Sequence, residues 1–511
     1  MSDNTQNSKR IAKNTILLYF RMILMMGVSL YTSRVVLQAL GVNDYGIYTA
    51  VGGTVALFGV ISNSLSTATQ RFITHALGKK DPEYLSRTFS TSVLIHICMC
   101  IVIVLLAETI GLWFLNNEMQ IPAERVHAAT VVYQCAVASS VIMIMSVPYN
   151  ATIIAHEKMG AFAAISILEA FLKLGIVFLL YLSHIDKLIV YSILLLITQF
   201  CIRLCYTRYC RRNFEETKLR YIKDNRLIKE IGIFSMWSLL GNAAYISYTQ
   251  GLNVLLNVFF LPTVNAARGI AIQVQTAVNQ FVSSFQTAMN PQITKSYASG
   301  NLDYMHNLVF KSARFSFYLL YILSLPIFIE CETILGIWLT VVPEYTVIFL
   351  RIILLTTLIS AIANPLIISV KATGRIRTYE MSVGGLMLTI LPISYIFLKL
   401  GYPPYSVFVV NLCVEILAQT LRIWITQKLI HFSLTKFIGE VIIRPLTVAL
   451  IAAILPLTLY NILNSSILSF LTVCSVAIIS SCTSIYLLGL SKSERDMISN
   501  KIVEIKRRFI K

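Results

Sequence analysis

Charge is scarce in this sequence, and negative charge scarcest of all. Only 13% of the 511 residues are charged, and 24 carboxylates stand against 42 Lys and Arg. A soluble protein of this length needs more charge than that to cover its surface. Catalytic signatures are missing as well: there is no Walker A run, no HExxH and no GxSxG. The ten cysteines form no CxxC and have no histidine at zinc-like spacing, which excludes a disulfide framework or a thiolate metal site. No enzyme, cofactor or metal is expected. The first apolar run is not followed by a small-residue cleavage site, so it reads as an uncleaved signal anchor.

What is abundant is apolar sequence: 56% of residues are hydrophobic and the mean hydropathy is +0.73. Apolar runs of about 18 residues or more mark membrane spans. They predict helices near 14–38, 45–76, 88–115, 124–155, 160–183, 188–210, 231–260, 263–297, 307–329, 345–370, 378–399, 405–430, 441–463 and 466–490. The expected fold is therefore an all-α polytopic membrane protein of about 14 transmembrane helices. Loops on the side of the termini carry about 29 Lys and Arg and the opposite loops about three, which places both termini in the cytoplasm. That skew also accounts for the net charge of +18 without invoking nucleic acid.

The most basic loop, residues 208–230, follows the sixth helix and divides the chain. An N-lobe (1–207, helices 1 to 6) and a C-lobe (231–430, helices 7 to 12) are expected, followed by helices 13 and 14 (431–490) and a basic tail (491–511). Six helices per lobe make the two lobes parallel. A gapless offset of 220 pairs residues 64–85 with residues 284–305, matching Ser64 with Ser284, Thr67 with Thr287, Ala68 with Ala288, Ile73 with Ile293, Thr74 with Thr294 and Tyr84 with Tyr304. The shared layout points to duplication. In the tail, Ser491 and Glu494 form a capping-box pattern, and Ile498, Ile502, Ile505 and Phe509 fall on one face beside Lys506, Arg507 and Arg508, as an amphipathic helix on an anionic leaflet requires.

A charge held near the bilayer centre is costly, so each is a functional candidate. Arg21 lies about 10 Å inside the first predicted helix at 1.5 Å per residue. Lys173 sits midway along the fifth, four residues after Glu169, an order that favours an ion pair but equally suits a structural pair. In the eighth, Arg268, Gln275, Asn279, Gln286 and Asn290 project within about 40° of one another. Asn242 and Asn253 mark a similar stripe in the seventh, and Glu415, Gln419 and Arg422 one in the twelfth. Such stripes can glue helices together, yet five large polar residues in line exceed what packing needs. They make Arg21, Lys173, Arg268, Asn242, Asn253, Gln275, Asn279 and Gln286 candidate substrate-binding residues of a polar cavity. Arg71 and Lys295, at the basic ends of the second and eighth helices, are candidate gate residues. None of the seven Asp lies within a predicted helix core, so the cavity favours an anionic substrate.

The segments SRVVLQALGVNDYGIYTAVGG (33–53), TATQRFITHALGKKD (67–81) and NAARGIAIQVQTAVNQFVSSFQTAMNPQITKSYASG (265–300) resemble polysaccharide flippases of the Wzx type, in the multidrug/oligosaccharidyl-lipid/polysaccharide (MOP) exporter superfamily. The resemblance implies a two-lobed, MATE-like export fold. It also implies an undecaprenyl-pyrophosphate-linked oligosaccharide, such as an O-antigen or capsule repeat unit, moved across the bacterial inner membrane for surface polysaccharide biosynthesis. Arg21 and Arg268 would then correspond to the cationic cavity of the family. The absence of a helix-core Asp departs from proton-coupled drug exporters and leaves Glu169 and Glu415 as candidate coupling residues. A lipid II flippase, a multidrug exporter of the MATE type and a non-transporting envelope-assembly scaffold are the alternatives. Membrane lipids and other polysaccharide assembly proteins are the expected partners.

Overall fold

In the computed structural model, residues 3–56, 58–117, 119, 121–182, 185–219, 224–260, 262–339, 341–464, 466–492 and 494–496 are described. The chain is all-helical, with no strand among the described residues. Its main helices are α1 (Asp3–Ala56), α2 (Phe58–Lys79), α3 (Pro82–Leu106), α4 (Val126–Ala155), α5 (Met159–Leu182), α6 (Lys187–Asn213), α7 (Asn225–Phe259), α8 (Pro262–Ala298), α9 (Leu302–Ile329), α10 (Thr346–Ala361), α11 (Ala363–Thr373), α12 (Arg377–Leu388), α13 (Ile390–Lys399), α14 (Ser406–Ile430), α15 (Arg444–Ile462) and α16 (Ile467–Ser484). Among the described residues, eleven helical stretches are long and apolar enough to cross a membrane. α2, α7 and α8 are not among the eleven, because amide, hydroxyl and charged residues dilute their hydropathy.

Local chemistry sets the breaks. Gly41 takes φ 77°, ψ 169° and divides α1 where a side chain would be strained. Asp81 caps α3 by accepting from the amides of Glu83 and Tyr84, with Pro82 at the first turn. Asp186 caps α6 in the same way, through Leu188 and Ile189. A π-turn at Ala107–Gly111 widens the end of α3 where the Tyr133 hydroxyl donates to the Ala107 carbonyl at 2.8 Å. A second, at Ile485–Gly489, receives Tyr318, whose hydroxyl donates to the Gly489 carbonyl at 3.4 Å.

Two compact units result, each described by itself. The first comprises Met1–Ala244, Thr287–Met305 and Lys371–Met381, and the second comprises Tyr245–Gln286, His306–Val370 and Ser382–Lys511. In the first, Phe89, Tyr149, Ile153, Met159 and Tyr206 anchor the largest apolar cluster. At the other end of this unit Arg125 joins Asp44, just beyond the Gly41 break, to Asp186, the cap of α6. Arg125→Ala leaves two carboxylates facing each other with their shared donor gone. The expected loss is about 2 kcal/mol, in the range of hydrogen bonds to charged groups, read as a lower Tm of the detergent-solubilised protein.

In the second unit α10 packs on α14, and α15 pairs with α16. Arg314 of α9 is buried and paired with Glu494 at 2.6 Å, and the Glu494 carboxylate accepts from the Ser491 amide at 2.8 Å, completing half of the capping-box pattern. Burial raises the Glu494 pKa, but the Ser491 amide and Arg314 outweigh it and hold the carboxyl below its ordinary range. A lowered folded pKa means the contact stabilises fully above the unfolded value of about 4.3 and is lost as pH falls through the folded one. The Tm difference between the parent protein and Glu494→Gln is therefore expected to be open at pH 7 and to close on acidification below that value. The predicted amphipathic face Ile498, Ile502, Ile505 and Phe509, with Lys506, Arg507 and Arg508, lies outside the described residues.

Exposed Ile101, Leu105, Phe171, Phe178, Leu450 and Leu468 cover the flanks of the helices. In water such side chains would drive aggregation, and in a bilayer they meet acyl chains. The chain is therefore an all-helical, multi-pass membrane protein.

Candidate functional site

The duplicated stretch reappears as duplicated geometry. Past the end of α2 Lys80 takes φ 55°, and past the end of α8 Gly300 takes φ 75°, two left-handed residues 220 positions apart. The next residue of each caps the following helix: Asp81 accepts from the Tyr84 amide at 3.0 Å and Asn301 from the Tyr304 amide at 3.2 Å. The two copies also touch within the first unit. A Cβ placed on Gly78 would lie 2.6 Å from the Ala298 Cβ and 2.9 Å from the Lys295 carbonyl oxygen. Gly78 and Ala298 are themselves equivalent, since 298 − 78 = 220. Under the expected duplication, equivalent residues of the two copies meet at the axis that relates them, and this contact would put that axis at the seam.

Around the axis, each helix end grips a turn from the opposite half. Past the end of α4, Glu157 adopts φ 60° and is buried. Its carboxylate takes Lys295 Nζ at 2.7 Å, Arg10 Nε at 2.8 Å and Gln292 Nε2 at 2.6 Å, and its carbonyl takes Asn14 Nδ2 at 3.2 Å. Three charge-assisted donors offset the cost of burying that carboxylate. On the other side of the axis, past the end of α11, Gly374 takes φ 79°. Here Arg71 donates from Nε to the Lys371 carbonyl and from Nη2 to the Ala372 carbonyl, both at 3.1 Å. The cation thus sits at the negative end of α11, where its orphan carbonyls need donors. The backbone angle favours glycine here, and a Cβ on Gly374 would come within 2.7 Å of Arg71 Nη2 and push on the guanidinium. The two grips share their geometry and differ in chemistry, side-chain carboxylate on one side and backbone carbonyls on the other.

Deeper in the first unit, Lys173 pairs with Glu169 at 2.7 Å and lines a pocket of about 260 Å³ with Ser29, Thr32, Tyr45, Tyr48 and Tyr191. Arg21 lies over the Phe162 ring at 4.3 Å, and its buried Nε has no partner among the described residues. Asn242 donates to the Ser64 hydroxyl at 2.8 Å.

The second unit holds the rest of the predicted polar residues, in separate clusters. Arg268 donates to the Asn253 side chain and, at 2.8 Å, to the Thr249 carbonyl, which leaves its buried Nε without a partner among the described residues. Gln275 donates to Thr357 at 2.8 Å, and Gln286 donates to Ser316 at 3.0 Å and the Ala361 carbonyl at 3.1 Å. Asn279 is exposed. Glu415, buried, accepts from Arg422 at 2.6 Å and from Ser360 at 2.9 Å. Arg268 and Asn253 are thus brought together, as are Lys173 and Glu169, while Gln275 and Gln286 each bind an α9 or α10 partner of their own.

Glu157, Arg10, Gln292 and Gly78 were not among the predicted site residues. Gly78 had a sequence signal, because the offset of 220 sets it against another small residue, Ala298. Glu157 had none, since a single acidic residue in a loop between two apolar helices looks solvated.

Residues 11–297, more than half of the chain, match the family described as polysaccharide biosynthesis protein. No curated protein sequence matches the chain. Among solved structures it is similar to a MATE in the bent conformation (TM-score 0.72, 12% identity, covering 84% of this chain and 98% of that one). It is also similar to an outward-facing MATE family multidrug resistance transporter of the MOP superfamily (TM-score 0.71, 12% identity, 84% and 98% covered). A third similar structure is a MOP superfamily transporter from Pyrococcus furiosus with a binding pocket of reversed polarity (TM-score 0.67, 12% identity, 82% and 96% covered). At such identities the likeness is one of fold.

Proposed function

Because the chain belongs to the polysaccharide biosynthesis protein family of the MOP superfamily, we propose that it is a flippase that carries an undecaprenyl-pyrophosphate-linked oligosaccharide across the bacterial inner membrane by alternating access. The observation that carries this reading is the set of cations held inside the helices. Arg21 and Arg268 each keep a buried Nε without a partner among the described residues, and Lys173 lines a pocket rich in hydroxyl and tyrosine side chains. Unspent donors of this kind suit a diphosphate, and tyrosine faces beside hydroxyls suit a sugar. The amides of Asn242, Asn253, Gln275, Asn279 and Gln286 would serve sugar hydroxyls.

Under this reading the lobes are 1–207 and 231–430, and the Lys and Arg skew puts both termini in the cytoplasm. The seam at Gly78 and Ala298 is then the cytoplasmic gate, with Arg71 and Lys295 as its two latches. Glu169 and Glu415, each already facing a cation, are the groups whose protonation would couple transport to a proton gradient.

The test is glycan export in cells carrying Arg268→Ala or Arg21→Ala. Removing one charge-assisted contact of about 2 kcal/mol lowers export roughly 30-fold while the protein still accumulates in the membrane. Full export in both variants would remove the cavity assignment. Unchanged surface glycan in a deletion strain, with altered drug susceptibility or peptidoglycan synthesis, would point instead to a multidrug exporter or a lipid II flippase. Glycan loss without movement of lipid-linked sugar in liposomes would point to the assembly scaffold.

A further inference from the structure

Against the Arg71 latch, and lined in part by Arg71 and Gly374, lies a second pocket of about 460 Å³. Its basic wall is the turn after α11, where Arg375 and Arg377 are exposed, and neither pairs with a carboxylate among the described residues. Its floor is aromatic. Phe72 and Phe234 meet edge to face with centroids 5.7 Å apart, Arg71 lies over the Phe72 ring at 4.4 Å, and Arg377 lies over Trp237 at 5.3 Å. Stacking of this kind fixes the Arg377 guanidinium plane and leaves its N–H edge for an anion, while Arg71 already donates to the Lys371 and Ala372 carbonyls. One carboxylate, Glu230, also lines the pocket, and it is engaged by Arg226 at 3.1 Å.

The pocket continues into apolar surface. Ile233 lines it, and Met236 and Leu240 lie one and two turns farther along the same face of α7, all three exposed. A free anion has no use for such a stripe, whereas a hydrocarbon chain attached to an anion does. We propose that this pocket is a binding site for the phosphate headgroup of a membrane lipid, with Arg375 and Arg377 on the phosphate and the acyl chain along Ile233, Met236 and Leu240. The site goes beyond the transported cargo and does not depend on its identity, because phosphate on an acyl chain is the whole of what is recognised. Its placement gives it a consequence: Arg375 and Arg377 follow directly on the turn that Arg71 holds, so a lipid in this pocket braces the latch.

The test uses the full chain in vesicles, with Trp113, Trp338 and Trp424 changed to Phe so that Trp237 is the sole indole. Quenching is titrated with dibrominated phosphatidylglycerol and with dibrominated phosphatidylcholine, each in a phosphatidylcholine background. Two arginines near a surface give a preference of roughly 30-fold for the anionic lipid. Arg375→Gln with Arg377→Gln is expected to bring that preference to within about threefold, and Glu230→Gln, which removes the one carboxylate lining the pocket among the described residues, is expected to raise it. Equal quenching by both lipids, or a preference untouched by all of these substitutions, would overturn the proposal. Inorganic pyrophosphate that displaces brominated phosphatidylglycerol at micromolar concentration would overturn the lipid assignment and leave a free-phosphate site. Failure here leaves the flippase reading standing, since that is tested by glycan export in Arg21 and Arg268 variants.

Discussion

Glu157→Gln is expected to release the end of α8 from the turn that follows α4. The Glu157 side chain is 1% exposed and the Lys295 side chain 25%, so the substitution leaves a largely buried ammonium facing an amide. Gln292 and Arg10 lose their acceptor at the same time. Removing one partner of a buried pair costs about 3 to 5 kcal/mol, and the residual exposure of Lys295 and Arg10 places the loss near the lower figure. About 3 kcal/mol multiplies the population of the released state roughly 100-fold. Ser296, buried on the same end of α8, is the place to read it. With Ser296→Cys in a background cleared of the native cysteines, labelling by a membrane-impermeant maleimide should accelerate by about that factor. Glu157→Asp, which keeps the charge, should restore part of the protection. Unchanged labelling would show that α8 is held by its apolar packing alone.

The reach of the sequence can be judged from these same residues. Hydrophobic runs reveal most of the membrane helices, because their length is set by the bilayer and not by any partner; of the 14 expected, eleven stretches among the described residues are apolar enough to span, and the polar α2, α7 and α8 are not among them. The repeat offset is legible too, and it carries structural detail finer than the identities that revealed it: the left-handed turn at Lys80 and Gly300 and the caps Asp81 and Asn301 obey the same offset. The pairing of Lys173 with Glu169 is legible because it is local, four residues apart on one helix. What periodicity leaves out is the identity of the neighbour. The polar line along α8 looks uniform in projection, yet Gln275 and Gln286 are bonded to α9 and α10 partners in the second unit while Asn290 falls in the first. Glu157 is invisible for the same reason, since its three donors come from residues 10, 292 and 295, and nothing nearby in sequence announces them.

The two-fold axis gives the second large effect. Gly78→Val places a branched side chain where a single Cβ would already lie 2.6 Å from the Ala298 Cβ and 2.9 Å from the Lys295 carbonyl oxygen. Neither neighbour can swing aside, one being backbone and the other a methyl fixed to it. Overpacking of this kind costs about 1 to 3 kcal/mol, and because the strain falls on the seam itself it is relieved by separating α2 from α8. The closed population should fall roughly 5-fold to 100-fold, with faster maleimide labelling at Ser296→Cys and a matching loss of glycan export if closure is part of the cycle. The symmetry supplies its own control. Gly78→Ala is the mild form of the same strain, and adding Ala298→Gly moves the missing methyl from one side of the axis to the other. The double variant should therefore recover closure in part, with the Lys295 backbone still close. Gly300→Ala, by contrast, strains a left-handed turn outside the seam and should lower the Tm without changing the labelling. If Gly78→Val and Gly300→Ala behave alike, what the glycine supplies at 78 is helix geometry and not the space for two repeats to meet.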